Sequence, residues 1–450
     1  MIPETADQRA CAPNEAFGAE FRPSSENVLP TVAIFAEPLL ARSMRFVQTQ
    51  CDALTRFEPM YVGAKRIPGG LTLPAGRVVT IRRNSRSFTR FKEIPFKVFG
   101  KAPLFFRRVS EFHPVLVHAH FGPAARSAVP LARWLRVPLI ATFHGSDVTT
   151  EEKKTYLDWR YSLDRAKLRN GGQFFLAVSQ FIHRKLLDQG FPEDRLLVHY
   201  IGVDRKFYSP DPSISRENIV LFAARLEEVK GCAILIRAME MLQSQFPETE
   251  LVILGDGSQK KELQRQASRN LRRCRFLGLQ PPEAVRDWMN RARIFCLPGV
   301  RAKCGDEEGF GLVVVEAQAM GLPVIASRVG GLPEAIEHGK TGFLTEPGSV
   351  EQLVLHLRKL LSDQPLWTKF SLAGPPHVRK KFDLQTQTGA LERIYTEVLE
   401  RYHRKEAPSA SLRNETRRNA TSTAEKAKQI ESTDPSIPKN QSAWSVPTRR

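Results

Sequence analysis

Two acidic residues and several glycines lie close together in the stretch 305–334, GDEEGFGLVVVEAQAMGLPVIASRVGGLPE. Glu308 and Glu316 are separated by seven residues, and Gly309 and Gly311 lie between them. Glycine lets the backbone approach a ligand and expose its N–H groups. Carboxylates repel a phosphate but accept hydrogen bonds from hydroxyls, such as those of a ribose and a second sugar. The plainer alternative is a solvated loop followed by an ordinary core helix.

A short helix is predicted directly after these glycines. The segment LVVVEAQAM is apolar and stops at Gly321, and PVIAS follows as a buried strand. Glu308 is then expected on the loop before the helix, and Glu316 two turns into it. A helix that begins beside two glycines presents unpaired N–H donors and the positive end of its dipole, which suits a phosphate.

Two cations follow another predicted buried strand, in the segment AARLEEVKG. Arg225 and Lys230 are five positions apart, so both can reach one diphosphate and neutralise charge on a departing nucleotide. Charges after a strand are also common on a solvated helix start. The pair is weak evidence alone, but together with the acidic stretch it predicts a site for a nucleotide.

Histidines end two further predicted strands. His144, in FHGSD, lies next to Gly145 and could hydrogen-bond a substrate hydroxyl or carbonyl, while Asp147 could cap the next helix. His118 and His120, in HAH, point to one face of their strand. A metal site needs a third ligand, and no spacing identifies one. We therefore expect one of the pair to pack in the core or line a cleft.

Other catalytic motifs fail at one position or are missing. HGKTG resembles the end of a phosphate-binding P-loop, but Glu334 stands where the leading glycine belongs. GDGSQK begins like a dinucleotide fingerprint, but Lys260 replaces its third glycine. GxSxG, HExxH and zinc-spaced cysteines do not occur. These absences argue against simple hydrolase, NTPase and dehydrogenase readings.

Two sets of strands, each alternating with helices, position these residues. The first set comprises VAIF, YVGAK, VLVHAHFG, PLIATFHGSD, FFLAVS and LLVHYIGVD, and the second NIVLFAAR, TELVILGDG, CRFLGL, ARIFCLPG, PVIAS and GFLTEPG. Such alternation predicts parallel sheets, whose ligands bind beyond the carboxyl ends of the strands. The sets meet near 204–216, so we expect an α/β protein with two domains facing each other across a cleft.

Composition bounds the remaining possibilities. Lys and Arg exceed Asp and Glu by 67 − 48 = 19 among 450 residues, which favours acidic partners such as nucleic acid, sugar nucleotides or anionic lipid. The apolar runs are too short to span a membrane, and no signal peptide is expected from the N-terminal residues. The six cysteines are scattered without CxxC pairs, which indicates reduced thiols in a cytoplasm.

Five regions are predicted along the chain. They are a disordered lead at 1–27, a first α/β domain at 28–205, a second α/β domain at 206–385, a closing helix at 386–405 and a disordered tail at 406–450. Within the first domain, the region from Arg82 to Arg108 carries nine basic residues, one acid and six phenylalanines. Such a stretch can lie on an anionic membrane, or its aromatic residues can pack on the sheet.

The second half of the chain resembles the second domain of the retaining glycosyltransferases of family 4. Five segments carry the likeness: AARLEEVKG, LVILGDG, RFLG, IFCLPG and EGFGLVVVEAQAMGLPVIASRVGGLPEAI. VHAHFGPAA, TFHGSDVT, VHYIGVDRKFYSP and GDEEGFG are similar to the bacterial subgroup that builds exopolysaccharide, including colanic-acid-type enzymes. The resemblance covers roughly residues 28–404 and implies the GT-B fold of two Rossmann-like domains. It makes 28–205 the acceptor domain and 206–385 the nucleotide-sugar-binding domain.

The resemblance implies roles by position. Glu308 would contact hydroxyls of the donor sugar, and Glu316 the ribose hydroxyls of the nucleotide. Arg225 and Lys230 match the diphosphate-binding pair of the family, and His144 matches a first-domain histidine near the donor sugar. His144, Arg225, Lys230 and Glu308 are therefore the candidate catalytic residues.

The glycine-rich turn would bind the donor through its backbone. By resemblance, Gly309, Phe310 and Gly311 present N–H groups to the sugar, and Leu312 and Val313 present theirs to the phosphates. No metal is expected, and no cofactor beyond the nucleotide-sugar co-substrate. Retention is expected by front-face attack, unlike the two-carboxylate scheme of retaining hydrolases.

The expected activity is transfer of a sugar from a nucleotide-sugar to a lipid-linked or polysaccharide acceptor in bacterial surface polysaccharide synthesis. The protein is expected in the cytoplasm, peripherally on the inner face of the membrane. A GT-B sugar-nucleotide epimerase is one alternative, and a basic nucleic-acid-binding protein is another. The first loop, PLLARSMRF, has Met44 and Arg45 where the subgroup tends to have Glu and Thr, so the acceptor is left open.

Overall fold

The fold consists of two parallel β-sheets, one of seven strands and one of six. The computed structural model describes residues 28–67, 69–81, 95–96, 100–150 and 166–406. Every strand pair in both sheets is parallel, as the alternation of strands and helices predicts. The predicted α/β class with two parallel-sheet domains is confirmed.

The first sheet has the strand order β3-β2-β1-β4-β5-β6-β7. Its strands are β1 Thr31–Phe35, β2 Glu58–Gly63, β3 Val78–Thr80, β4 Leu116–His120, β5 Leu139–Phe143, β6 Phe174–Ala177 and β7 Leu196–Val198. Successive residues alternate between its two faces. Val32 and Ile34 belong to one core cluster, whereas Ala33 and Phe35 belong to the cluster on the opposite face.

Helices cover both faces of this sheet. In the first domain they are α1 Arg45–Asp52, α2 Pro103–Ser110, α3 Gly122–Leu135, α4 Ser146–Thr149 and α5 Gln180–Asp188. The α2 helix buries Phe105 and Phe106, and the Phe106 ring lies 5.9 Å from that of Trp134 on α3. Because each helix follows a strand, the chain returns across the sheet and every new strand is parallel to the last.

The second sheet has the order β10-β9-β8-β11-β12-β13. Its strands are β8 Ile219–Ala223, β9 Glu250–Leu254, β10 Cys274–Gly278, β11 Ile294–Leu297, β12 Val324–Ser327 and β13 Gly342–Thr345. The helices here are α6 Cys232–Gln243, α7 Lys260–Asn270, α8 Pro282–Arg291, α9 Leu312–Ala319, α10 Leu332–Ala335, α11 Val350–Ser362 and α12 Gln364–Lys381. The β8 and β11 strands are fully buried, which explains their continuous apolar sequences.

The last helix, α13 Leu384–Glu406, leaves the second domain and packs on the first. Tyr395 is buried against the first sheet, with its ring 5.2 Å from Phe57. The Glu392 carboxylate accepts hydrogen bonds from the N–H groups of Thr55 and Arg56 at 2.7 and 2.6 Å. A buried carboxylate with such partners fixes the helix to the loop before β2.

Several predictions fall partly or wholly on residues that the structure does not describe. The disordered lead and nearly all of the disordered tail lie outside the described residues, as does most of the basic region between 82 and 99. Among its phenylalanines, the described Phe96, Phe105 and Phe106 are buried in the core. Across the described ranges, no helix is both long and apolar enough to cross a bilayer.

Candidate functional site

A cleft of about 700 Å³ lies between the carboxyl ends of the two sheets. Residues of both domains line it, because β5 of the first sheet and β8 of the second end at its walls. All ten residues that the sequence predicted for the site line this one cleft: His144, Arg225, Lys230, Glu308, Gly309, Phe310, Gly311, Leu312, Val313 and Glu316. They come from segments up to 172 positions apart, which the fold brings together.

The cationic wall of the cleft belongs to the second domain. Arg225 follows β8, and Lys230 ends a short 3-10 turn next to it. The Lys230 ammonium forms an ion pair with the Glu308 carboxylate, and both side chains are about one-eighth exposed (15% and 12%). The pair thus holds the predicted diphosphate-binding and sugar-binding groups in contact. A diphosphate entering the cleft would compete with Glu308 for this ammonium.

The α9 helix begins at the centre of the cleft. Gly311 precedes it with φ +81°, a conformation that favours glycine, and the first two helical residues are Leu312 and Val313. Their N–H groups belong to the first turn, which has no intrahelical acceptor for them. Glu316 lies about one turn into the helix, so the prediction of two turns was wrong. The carboxyl is consequently nearer the helix start than expected.

The Glu316 carboxyl is strongly perturbed. Loss of hydration raises its pKa from 4.5 to about 7, although a hydrogen bond from Tyr208 and the charge of Arg45 act in the opposite direction. The neutral and ionised forms are therefore both populated near neutral pH. The sequence analysis did not assign Tyr208 to the site, because it lies at the domain boundary, far in sequence from the acidic stretch.

His144 forms the opposite wall. Its ring lies 4.4 Å from the Phe121 ring and 5.0 Å from the Phe46 ring, measured between centroids. Its Nε2 is 3.1 Å from Nδ1 of His120, and its Nδ1 has no hydrogen-bond partner among the described residues. Burial holds its pKa well below the usual value, so the imidazole is neutral. A neutral imidazole can donate or accept at Nδ1.

The HAH histidines both pack behind this wall. His118 is hydrogen-bonded to the Tyr395 hydroxyl at 2.6 Å and to the Thr142 hydroxyl at 2.7 Å. Burial lowers the pKa of His118, and lowers that of His120 to about 3. The sequence predicted that one of the two packs in the core or lines the cleft, and both are 1% exposed. Through His120 they support His144 from inside the first domain.

Asp147 does not cap the helix in which it lies. Its carboxylate accepts hydrogen bonds from the N–H groups of His144 at 3.1 Å, Gly145 at 2.8 Å and Gly122 at 2.9 Å. The Gly122 N–H opens α3, so Asp147 ties the start of α3 to the loop that carries His144. The helix-cap prediction for the next helix was therefore wrong, because the side chain turns back toward the preceding strands.

The glycines around Glu308 allow three loops to stack closely. A Cβ on Gly309 would lie 2.1 Å from the carbonyl oxygen of His144, across the domain boundary. A Cβ on Gly330 would lie 2.1 Å from the Glu308 carbonyl, and one on Gly331 at 2.1 Å from the Gly309 carbonyl. The loop 306–311 is thus held between the two domains at backbone contact distance. Gly309 is required for this packing, whether or not a ligand approaches.

The first loop reaches the second domain at the rim of the cleft. The Arg45 guanidinium donates to Glu283 at 3.1 Å and lies 5.2 Å from the centre of the Phe207 ring. Met44, Phe46 and Phe207 line the same rim. Arg45 therefore contacts the second domain, which the first-loop sequence did not predict.

Two family descriptions match the chain and together cover both domains. "Glycosyltransferase Family 4" matches residues 54–207, and "Glycosyl transferases group 1" matches residues 204–375. The chain belongs to glycosyltransferase family 4. The family resemblance seen in the sequence is thereby confirmed.

Relatives within the family act in exopolysaccharide synthesis. The amylovoran biosynthesis glycosyltransferase AmsK of Erwinia amylovora is 28% identical over 290 residues, which cover 64% of this chain and 69% of AmsK. The putative colanic acid biosynthesis glycosyltransferase WcaL of Escherichia coli is 29% identical over 245 residues. That match covers 53% of this chain and 59% of WcaL.

Solved structures share the fold. Sucrose-phosphate synthase from Thermosynechococcus elongatus superposes with a TM-score of 0.67 at 19% identity, over 83% of this chain and all of that one. Anabaena Alr3699/HepE, solved in complex with UDP and glucose, gives 0.63 at 20% identity, over 82% of this chain and all of that one. These structures have the GT-B fold, so the predicted fold class is confirmed.

Proposed function

We propose that this protein is a retaining glycosyltransferase that moves a sugar from a nucleotide-sugar to a lipid-linked or polysaccharide acceptor in surface polysaccharide synthesis. The observation that carries the proposal is the convergence of two acids, two cations and a helix start on one cleft between the sheets. The relatives AmsK and WcaL, named for amylovoran and colanic acid, support an exopolysaccharide product. The HepE complex with UDP and glucose supports a nucleotide-sugar donor.

The proposed division of labour follows from charge. Arg225, Lys230 and the α9 N-terminus stabilise the diphosphate as negative charge develops on it, which is the role a metal has in other transferases. Glu316 accepts hydrogen bonds from the ribose, and Glu308 accepts them from the donor sugar once the diphosphate has attracted Lys230. Transfer is proposed to need no added divalent cation, so an excess of EDTA should leave the rate unchanged.

Retention of configuration is part of the proposal. Glu308 and the neutral His144 line the cleft from the two domains, and once the diphosphate has attracted Lys230 they would bind the sugar between them. Attack on the face from which the nucleotide departs would keep the anomeric configuration. Proton NMR of the first product formed decides this point: an inverted anomeric signal would contradict it.

A membrane-facing surface is proposed on the first domain. Leu104 on α2 is 78% exposed and Trp134 on α3 is 48% exposed. Lys101 and Arg107 are exposed three residues before and after Leu104, and Arg133 is exposed next to Trp134 in the chain. Exposed apolar side chains with cations beside them in the chain favour an anionic bilayer surface. Flotation with vesicles that contain roughly a third anionic lipid tests this surface, because such vesicles attract basic segments. Equal binding to neutral vesicles would contradict the proposal.

Replacement of Lys230 tests the catalytic proposal. Lys230→Ala should lower turnover by about 100-fold or more, because a preorganised charge aimed at the transition state is lost. Lys340→Ala is the matched control, since Lys340 pairs with Glu337 on the surface of the second domain. A thermal-shift panel of UDP-, GDP- and ADP-sugars identifies the donor first.

The assay measures nucleotide release with and without acceptor glycans. Acceptor-dependent release supports a transferase, whereas consumption of the nucleotide-sugar without an acceptor supports the epimerase alternative. Near-wild-type transfer by Lys230→Ala would contradict the assignment of this cleft as a glycosyltransferase site. Steeply salt-dependent RNA or DNA binding without any stabilisation by nucleotide-sugars would favour the nucleic-acid alternative.

A further inference from the structure

The first domain holds the glycine-rich loop 306–311 by side-chain hydrogen bonds. The Ser179 hydroxyl donates to the Gly309 carbonyl at 2.6 Å, and the Thr149 hydroxyl donates to the Asp306 carboxylate at 2.5 Å. These residues are 130 and 157 positions apart in sequence, so both bonds cross the domain boundary. The loop that carries Glu308 is therefore fixed partly by the opposite domain.

Ser179 uses its hydroxyl twice. It is fully buried and caps α5 by accepting from the N–H of Ile182 at 3.1 Å, while donating to Gly309. In a trans peptide the C=O and the following N–H point in opposite directions. A fixed Gly309 carbonyl therefore directs the Phe310 N–H away from α5. That N–H is one of the donors expected to contact the sugar.

Glu334 holds the same helix from the second domain. Its carboxylate accepts from the N–H groups of Gln180 at 2.7 Å and Phe181 at 2.8 Å, and from the Tyr200 hydroxyl at 2.9 Å. The two N–H groups open α5 and have no intrahelical acceptor, and a carboxylate at this end also suits the helix dipole. The contact thus locks the helix that carries Ser179 onto the second domain.

We propose that Ser179 is a positioning residue for the donor sugar, with Glu334 fixing the helix that presents it. This inference rests on the proposed function and deepens it. The diphosphate and ribose contacts come from the second domain alone. The sugar contacts at the glycine-rich loop require the first domain as well. Substitution of Ser179 should therefore weaken binding of a nucleotide-sugar much more than binding of the nucleoside diphosphate.

Hydrogen exchange of the ligand-free full chain tests the Glu334 contact. In wild type, the amides of Gln180 and Phe181 should be protected, and Glu334→Gln should speed their exchange about tenfold or more, because the two N–H groups donate to different carboxylate oxygens and the NH2 group that replaces one of them cannot accept. Glu337→Gln is the control, since Glu337 pairs with Lys340 and His377 within its own domain. Unprotected wild-type amides, or no change on substitution, would overturn the contact.

Calorimetry tests the role of Ser179. The probes are UDP-glucose, GDP-mannose and ADP-glucose, each with its free nucleoside diphosphate. For the pair that wild type binds, Ser179→Ala should weaken binding of the nucleotide-sugar about tenfold or more, which is the usual effect of one lost hydrogen bond to a ligand. It should weaken binding of the nucleoside diphosphate less than about twofold. Ser349→Ala is the control, because Ser349 caps α11 within the second domain.

The outcomes separate the two proposals. The positioning role would be overturned if Ser179→Ala weakened binding of the nucleotide-sugar and of the diphosphate equally, or if Ser349→Ala had the same effect as Ser179→Ala. Either result would leave the transferase assignment intact. Failure of wild type to bind any of the three nucleotide-sugars would overturn the proposed function, and this inference with it. Selective loss of sugar-dependent affinity supports both.

Discussion

The perturbed Glu316 carboxyl predicts that nucleotide binding depends on pH. In the proposed site, two ribose hydroxyls donate to the two oxygens of Glu316 and so favour its ionised form, yet in the ligand-free cleft the pKa of this carboxyl is about 7. Binding should therefore release a proton below pH 7. Affinity should rise with pH up to about 7, close to tenfold per unit, and level off above it. Glu316→Gln should bind more weakly and lose this dependence.

The same shift has a stability consequence. An increase from 4.5 to about 7 corresponds to roughly 3 kcal/mol, at about 1.4 kcal/mol per unit. Because the folded pKa is raised, the neutral carboxyl contributes this stability fully below pH 4.5 and loses it as pH rises through 7. Tyr208 and Arg45 face the carboxyl and favour its ionised form, but burial is the larger effect.

Two measurements check the Glu316 prediction. Urea unfolding between pH 5 and 8 should show wild type losing stability relative to Glu316→Gln as pH rises, by up to about 3 kcal/mol. The difference between the two proteins removes the contribution of the histidines. Calorimetry at pH 6 in two buffers of different ionisation enthalpy should detect close to one released proton. Parallel stability curves together with no proton release would refute the reasoning.

Three further predictions concern the residues that frame the cleft. Asp147→Ala should lower the free energy of unfolding by about 2–4 kcal/mol in urea titrations, because three N–H groups lose their acceptor, and an unchanged midpoint would contradict this. Gly309→Ala should abolish transfer in the glycan assay, since its Cβ would clash with the His144 carbonyl, whereas Gly389→Ala in α13 should be neutral or stabilising by up to ~1 kcal/mol. Glu392→Ala should release α13 and raise its proteolysis, with full resistance counting against the role of that carboxylate.

The sheets could be predicted from the sequence because buried parallel strands read as continuous apolar runs. Runs such as IVLF and LVIL leave little alternative at their lengths. The β3 strand, Val78–Thr80, was missed, because no helix separates it from β2 and it therefore falls outside the strand–helix alternation that identified the other strands. The fold class and twelve strand positions followed from periodicity, whereas the short edge strand depends on its neighbour β2.

The members of the site were predictable, but their partners were not. Lys230 and Glu308 are 78 positions apart, and nothing local indicates that they form an ion pair. His144 was found from its place after a strand, yet its contact with His120 depends on the register of β4 and β5. Motifs report which residue types occur at strand ends. The protonation state of these residues and the partners they contact depend on burial, and burial is set only when the two domains have folded and come together.

The two crossings between the domains lie side by side. Val203 donates to the Phe382 carbonyl at 2.7 Å and accepts from the N–H of Leu384 at 3.1 Å, and a Cβ on Gly202 would come within 2.5 Å of the Leu384 Cα. Two chain segments joined in this way resist twisting and shear. We therefore expect the easiest relative motion of the domains to be rotation about the axis along which these segments run. Opening the cleft would then separate Ser179 from Gly309 along an arc, and a product could leave without either domain unfolding.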